Sequence, residues 1–247
     1  NVKSLLETQE EKILKEGVTF DEEKGKYFVK NSYKSNLPLL PTYREEAKKR
    51  NESLAAKLRR CAEGSSIAEE LDNTVNSNIE QGVYTWEKNW LEEDPTRKNL
   101  QESFCPNGYA LKVSGSTKVR LVHDMSFSTP GNISVNETHL KGNSLNRKIT
   151  HILLLHRLYE NYSTVDIKRF YNSVELSPRD CSLQKFWWKE GGILSEDPWV
   201  PVVPKCLQFG GTSSQCLSQV AKLDANDRFL GDRPDLQFWI ERSYSDD

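Results

Sequence analysis

Ser163-Thr164-Val165-Asp166-Ile167-Lys168-Arg169-Phe170-Tyr171, running on through Val174-Glu175-Leu176-Ser177-Pro178-Arg179-Asp180, is the stretch that decides how this chain is read. The β-branched pair Thr164-Val165 ends on Asp166, which predicts a strand with a carboxylate at its end. About eighty residues later the apolar stretch from Leu236 to Ser243 predicts another strand, and Tyr244-Ser245-Asp246-Asp247 follows it. One carboxylate at a strand end and a second pair in a neighbouring turn suit two-metal phosphoryl transfer, in which the ions sit about 3.5–4 Å apart. Mg²⁺ takes oxygen ligands, a few of them carboxylates, and substrate phosphates complete its shell. Taken singly, Asp166 reads as a turn residue and Asp246-Asp247 as a solvated tail. What surrounds them changes that reading.

Working outward, Leu207-Gln208-Phe209-Gly210-Gly211-Thr212-Ser213-Ser214 precedes a predicted helix. Upstream lies Lys118-Val119-Arg120-Leu121-Val122-His123-Asp124, followed by Asn132-Ile133-Ser134-Val135-Asn136 and a loop to Gly142. These segments resemble motifs of BEL/Pao reverse transcriptases. The Asp166 stretch resembles the family's first catalytic motif, residues 207–214 its F-G-x-T-S-S segment, and residues 244–247 its Y-x-D-D loop. The Arg120 strand resembles the R-x-V-x-D strand of the fingers, and residues 132–142 the S-L-N-x-x-L-x-x-G loop. Phe20 to Ala47 is similar to the family's lead-in. No one motif is specific; their order along most of the chain is.

The resemblance implies an α+β fold, the fingers and palm of a right-hand polymerase. Residues 1–81 would form an N-terminal lead-in of hairpin, Pro-rich extended segment and helices. Residues 82–247 would form fingers and palm, with catalytic motifs at 163–171, 207–215 and 244–247. It implies RNA-directed DNA polymerase activity from a retroelement polyprotein, with two Mg²⁺ ions, replaceable by Mn²⁺, as cofactors. Asp166, Asp246 and Asp247 would be catalytic and would hold the metals, assisted by the Ile167 carbonyl. The carboxylates of Asp166 and Asp246 are then expected close enough to share an ion. Lys118 and Arg120 would contact the triphosphate, arginine through bidentate bonds. Tyr171 would lie under the sugar and exclude a 2′-hydroxyl, while Phe209 and Gly210 border the nucleotide pocket. Partners would be an RNA or DNA template–primer, deoxynucleotides, and the thumb and RNase H portions of the polyprotein. The setting would be cytoplasmic, including virus-like particles. Gln215 stands where the family commonly has proline, and Ser245 fills the loop's variable place; neither change removes a metal ligand. If Asp247 is the terminus, the thumb is missing and the chain is expected to be inactive by itself.

Composition agrees only in part. Hydrophobic residues make up 36% of the 247 and charged residues 28%, with six Trp, nine Tyr and nine Phe to anchor a core. The net charge of −2 carries no global sign of a nucleic-acid partner. Locally, Lys141, Arg147, Lys148, His151, His156, Arg157, Lys168 and Arg169 face only Glu160 and Asp166, a stretch able to bind phosphate. Five scattered cysteines, with no C-x-x-C, point to reduced thiols, and four N-x-S/T sequons would matter only in a secreted protein. No apolar run is long enough to suggest a membrane span. His151 and His156 are five apart, the wrong spacing for one helix face. Gly210 to Ser214 at a helix start suits phosphate, but the lysine of a P-loop is absent.

The periodicity predicts a hairpin at Val18-Thr19-Phe20 and Tyr27-Phe28-Val29 around Gly25, then extended Leu37 to Pro41. A charged helix is expected over 43–61, with Ala47, Leu54 and Leu58 on one face. Another is expected over 67–81, capped by a serine after Gly64. Paired strands are expected at 109–113 and 118–122, and helices at 147–161, 179–189 and 212–229. In the helix at 147–161, Leu153, Leu154, Leu155 and Leu158 should supply the apolar face. An extended segment is expected at 199–209.

A second reading stays open: a catalytically inactive retroelement-derived module with a structural or nucleic-acid-binding role. A nucleic-acid role implies weak, sequence-independent binding to a template–primer duplex at low ionic strength, fading by roughly physiological salt; no binding at low salt would favour the structural module. Alanine at Arg147, Lys148 and Arg157 should flatten the salt dependence without unfolding the chain, as fluorescence anisotropy across salt concentrations will report.

Overall fold

The two apolar runs of the first segment form the expected hairpin. β1 (Val18–Asp21) pairs antiparallel with β2 (Lys26–Val29), and the turn passes through Gly25 at φ 62°. The computed structural model describes residues 12–35, 37–111, 119–143, 145, 149–158, 160 and 167–233. The strands expected at 163–166 and 236–243, together with Lys118, Asp166, Asp246 and Asp247, lie outside them. The fold is mixed α+β, with small sheets.

Two helices follow the Pro-rich extended segment. α1 (Arg44–Arg60) buries Ala47, Asn51, Ala55 and Leu58, while Leu54 is half-buried. Glu45 and Glu46 in its first turn and Lys57, Arg59 and Arg60 in its last oppose the helix dipole favourably. α2 (Gly64–Glu80) starts earlier than the expected Ile67, and no side chain caps it, so the serine cap is not formed. Glu63 holds the N-cap position and Ser65 and Ser66 lie inside the helix; at the α1–α2 corner a Cβ on Gly64 would lie 1.8 Å from the Leu58 carbonyl oxygen. Only glycine fits there.

β3 (Tyr84–Trp86) leads into α3 (Glu87–Glu93), and β4 (Asn107–Leu111) then pairs antiparallel with β5 (Val119–His123). This hairpin lays Tyr109, Val119 and Leu121 on a core with Leu71 and Val75 of α2. Pairing sets Gly108 opposite Val122 and Ala110 opposite Arg120, the positions whose side chains take the other face. A short α4 (Val135–Thr138) carries a full capping box between Ser134 and Glu137.

Two expected helices need correction. α5 (Ile149–His156) is shorter than predicted; it buries Ile152 and leaves Leu153 and Leu154 exposed, as is Leu158 in the turn after it. Consecutive residues on a helix are about 100° apart, so a run of leucines cannot share one face. The helix expected at 179–189 is instead α6 (Pro178–Ser182) followed by the strand β7 (Phe186–Trp188), which comes after β6 (Val174–Leu176). All three aromatic residues of β7 are buried: Phe186 and Trp188 enter the α2 core, and Trp187 stacks on Phe104 at 5.1 Å. A strand with both faces covered reads as a plain apolar run, which periodicity cannot separate from helix.

β8 (Val200–Pro204) lies between β3 and β7, all antiparallel, and its prolines stand second and last in the strand. β6 pairs parallel with β2, so the segment after Tyr171 is tied to the N-terminal hairpin. α7 (Ser214–Leu230) covers a second core of Leu14, Val29, Tyr171, Val174, Leu207 and Leu217.

Asn51 joins the halves of this arrangement. Its Nδ2 donates to the Trp187 carbonyl at 2.7 Å, and its Oδ1 accepts from the Asn107 backbone N–H at 2.9 Å. The sequon there is thus structural, because the amide is fully buried. Asn51→Ala leaves the Asn107 N–H without its partner and should cost roughly 2–3 kcal/mol, measured as a lower urea midpoint with unchanged slope.

Candidate functional site

Residues 38 apart in sequence meet where the chain turns from the Asp166 segment into β6. Arg169 adopts φ 59°, left-handed backbone that costs a non-glycine residue about 1 kcal/mol, and it directs the chain into a 3₁₀ turn at Tyr171–Ser173. The Ser173 N–H donates to the Arg169 carbonyl at 2.9 Å, closing that turn. Tyr171 is 4% exposed, among Val174, Leu207 and Leu217. Phe209, 52% exposed, sets its ring edge-on to Tyr171, with centroids 4.7 Å apart and planes at 75°. Phe209 therefore forms the outer surface of the pair and Tyr171 its base.

Gly210, at φ 95°, bends the chain back toward β5, where a Cβ would stand 3.2 Å from the His123 carbonyl oxygen. Arg120 is three residues earlier on that strand, about 10 Å along it, exposed and with no ion-pair partner among the described residues. The side chain of Ile167 is also exposed. The described residues thus bring Tyr171, Phe209 and Gly210 together, with Arg120 on the strand that Gly210 approaches. Among the described residues no group of three or more His, Cys, Asp or Glu could hold a metal ion. Lys141, His151, Arg157, Lys168 and Arg169 of the basic stretch are exposed.

Residues outside the predicted set hold this turn. Gln208, 3% exposed, donates through Nε2 to the Cys206 carbonyl at 2.9 Å, so its Oε1 faces Tyr84 as an acceptor. The Tyr84 hydroxyl lies 3.0 Å from that Oε1 and 3.0 Å from His123 Nε2. Asn107 Nδ2 donates to the Trp187 carbonyl, which leaves its Oδ1 to accept from His123 Nδ1 at 2.8 Å. A neutral His123 with its proton on Nδ1 thus leaves one Tyr84 proton between two acceptors. Burial pushes His123 down to about 4, so it stays neutral near pH 7.

On the opposite side of the turn, Asn136 of α4 donates through Nδ2 to the Gly210 carbonyl at 2.8 Å and to Ser126 Oγ at 2.8 Å. Its Oδ1 accepts from the Thr212 N–H at 2.9 Å. Ser213 Oγ donates to Asn31 Oδ1, and Ser214 Oγ to the Gln208 carbonyl. The hydroxyls read as part of a phosphate cradle are therefore committed to holding the turn. Gln208 and Asn136 both stand inside the quoted motifs, but their bonds join segments far apart in sequence. No local spacing marks them.

Comparison with known proteins finds no matching family model, and no curated protein matches the chain. No described helix is long and apolar enough to cross a membrane.

The lowered His123 pKa makes stability fall with acid. The unfolded state takes up the proton near the ordinary value of 6.5, the folded state only near 4, so stability is lost as pH drops through that window. Between pH 7 and pH 5 His123 should account for about 2 kcal/mol of that loss. Urea midpoints at the two pH values should differ less in His123→Gln than in the parent, leaving the similarly lowered His139 as the main remaining histidine contribution.

Proposed function

We propose that the chain is the fingers and palm portion of an RNA-directed DNA polymerase of the BEL/Pao reverse transcriptase type, catalysing nucleotidyl transfer. The observation that carries this reading is the meeting of Tyr171 and Phe209 beside the strand bearing Arg120. These residues come from three separate motifs, and the resemblance assigns all three to one nucleotide pocket.

In this reading Arg120 and Lys118 receive the triphosphate, and the planar guanidinium of Arg120 pairs with two phosphate oxygens at once. Being exposed and unpaired among the described residues, Arg120 gives up no ion pair there to do so. Phe209, backed by the buried Tyr171, forms an apolar wall against the sugar, and Gly210 lets the backbone come close. Three carboxylates and one carbonyl, from Asp166, Asp246, Asp247 and Ile167, make an all-oxygen donor set suited to Mg²⁺. Two such ions, when bound, would polarise the phosphoryl oxygens and favour the attacking hydroxyl. The basic residues Lys141, Arg157, Lys168 and Arg169 supply contacts to the phosphates of template and primer.

The second reading, an inactive module within an assembly, draws on Leu153 and Leu154 of α5 and Leu158 just after it, which lie exposed close together in sequence. One titration separates the two. A fluorescent deoxynucleoside triphosphate should bind in Mg²⁺, and Asp166→Asn should weaken that binding at least about tenfold with little change in thermal midpoint. Equal binding by parent and variant, or none by the parent, rejects the polymerase reading and leaves the module.

A further inference from the structure

We infer that Asn136 is a positioning residue for the nucleotide pocket, acting through the Phe209–Gly210 turn to set sugar discrimination. The inference rests on the polymerase reading and adds to it a residue to which the resemblance assigned no role.

The support runs from local structure outward. Ser134 and Glu137 cap α4 reciprocally, and the Asn136 N–H bonds to the Met125 carbonyl at 3.0 Å, so the α4 backbone is fixed before its side chain acts. Tyr43 adds a hydroxyl bond to the Ile133 carbonyl at 2.7 Å. From that base one carboxamide spans the turn, donating to Gly210 and accepting from Thr212. An amide can do both because it carries a donor and an acceptor on one rigid plane. Between the two gripped residues lies Gly211, and directly before them lies Phe209. Gly210, at φ 95°, has the freedom to relax once the clamp is gone, because glycine enters many backbone wells at little cost.

Phe209 is the exposed member of the ring pair, so the sugar meets it first. Tyr171 is held by the core and cannot shift with the turn. Loosening the turn therefore moves Phe209 relative to Tyr171 and opens the wall that would exclude a 2′-hydroxyl. The consequence is specific: weaker deoxynucleotide binding and a reduced preference over ribonucleotide, with the cores intact.

The test is competition of unlabelled dATP and ATP against a fluorescent deoxynucleotide, in Mg²⁺, with the full chain. The parent should prefer dATP. In Asn136→Ala, dATP binding should weaken about tenfold and the preference should fall toward unity, since lost pre-organisation is charged to the ligand that needs the closed wall. Asn136→Asp keeps the acceptor for Thr212 but sets a carboxylate oxygen against the Gly210 carbonyl; it should lose the preference too, and it decides the matter if the alanine variant does not fold. An unchanged preference in a folded variant overturns the inference while leaving the polymerase reading intact. So does equal weakening of both nucleotides alongside a large drop in thermal midpoint. A parent that binds neither nucleotide overturns both.

Discussion

A chain of buried polar groups holds the elements of this protein in register. It runs from Asn51 on α1 through Asn107 on β4 and His123 on β5 to Tyr84 on β3, and ends at Gln208. Each of the five is buried, so each must find its partner inside the protein or pay the cost of desolvation. Because the partners come from different elements, the bonds can all be made only in one relative placement of helices, hairpin and sheet. Apolar packing such as that of Leu71, Val75, Phe186 and Trp188 drives burial but is tolerant of small slides. The polar chain is not.

Its far end matters most for function. Gln208, the residue before Phe209, is anchored in the core by its bonds to Cys206 and Tyr84, and Asn136 fixes the residues after Phe209. Between these anchors one aromatic ring is left exposed, braced edge-on against a buried tyrosine. A side chain presented in that way loses little further entropy when a ligand arrives, which is how a rigid scaffold serves a binding surface. The strained backbone of Arg169 belongs to the same design, because it sets where Tyr171 enters the core.

Much of the framework was legible in the primary structure. The apolar runs at 18–20 and 27–29 around Gly25 and the apolar face of α1 are local signals, and local signals survive folding. The failures share one cause. Phe186 to Trp188 form a strand because β8 pairs beside them and neighbours cover both faces, and Leu153 and Leu154 of α5 stay exposed while Ile152 turns inward. Neither outcome follows from composition; both depend on what the rest of the chain places alongside.

The sequence by itself determined the residue chemistry: which residues carry charge, which aromatics stand beside glycines, and the order of the motifs along the chain. The tertiary structure alone decided that Tyr171 would be the base and Phe209 the face of their pair, and that Asn136 and Gln208 would clamp the turn between them. The physical reason is range. Propensity and pattern act over a few residues, whereas a hydrogen bond between Asn136 and Gly210 exists only after burial has brought together segments 74 positions apart.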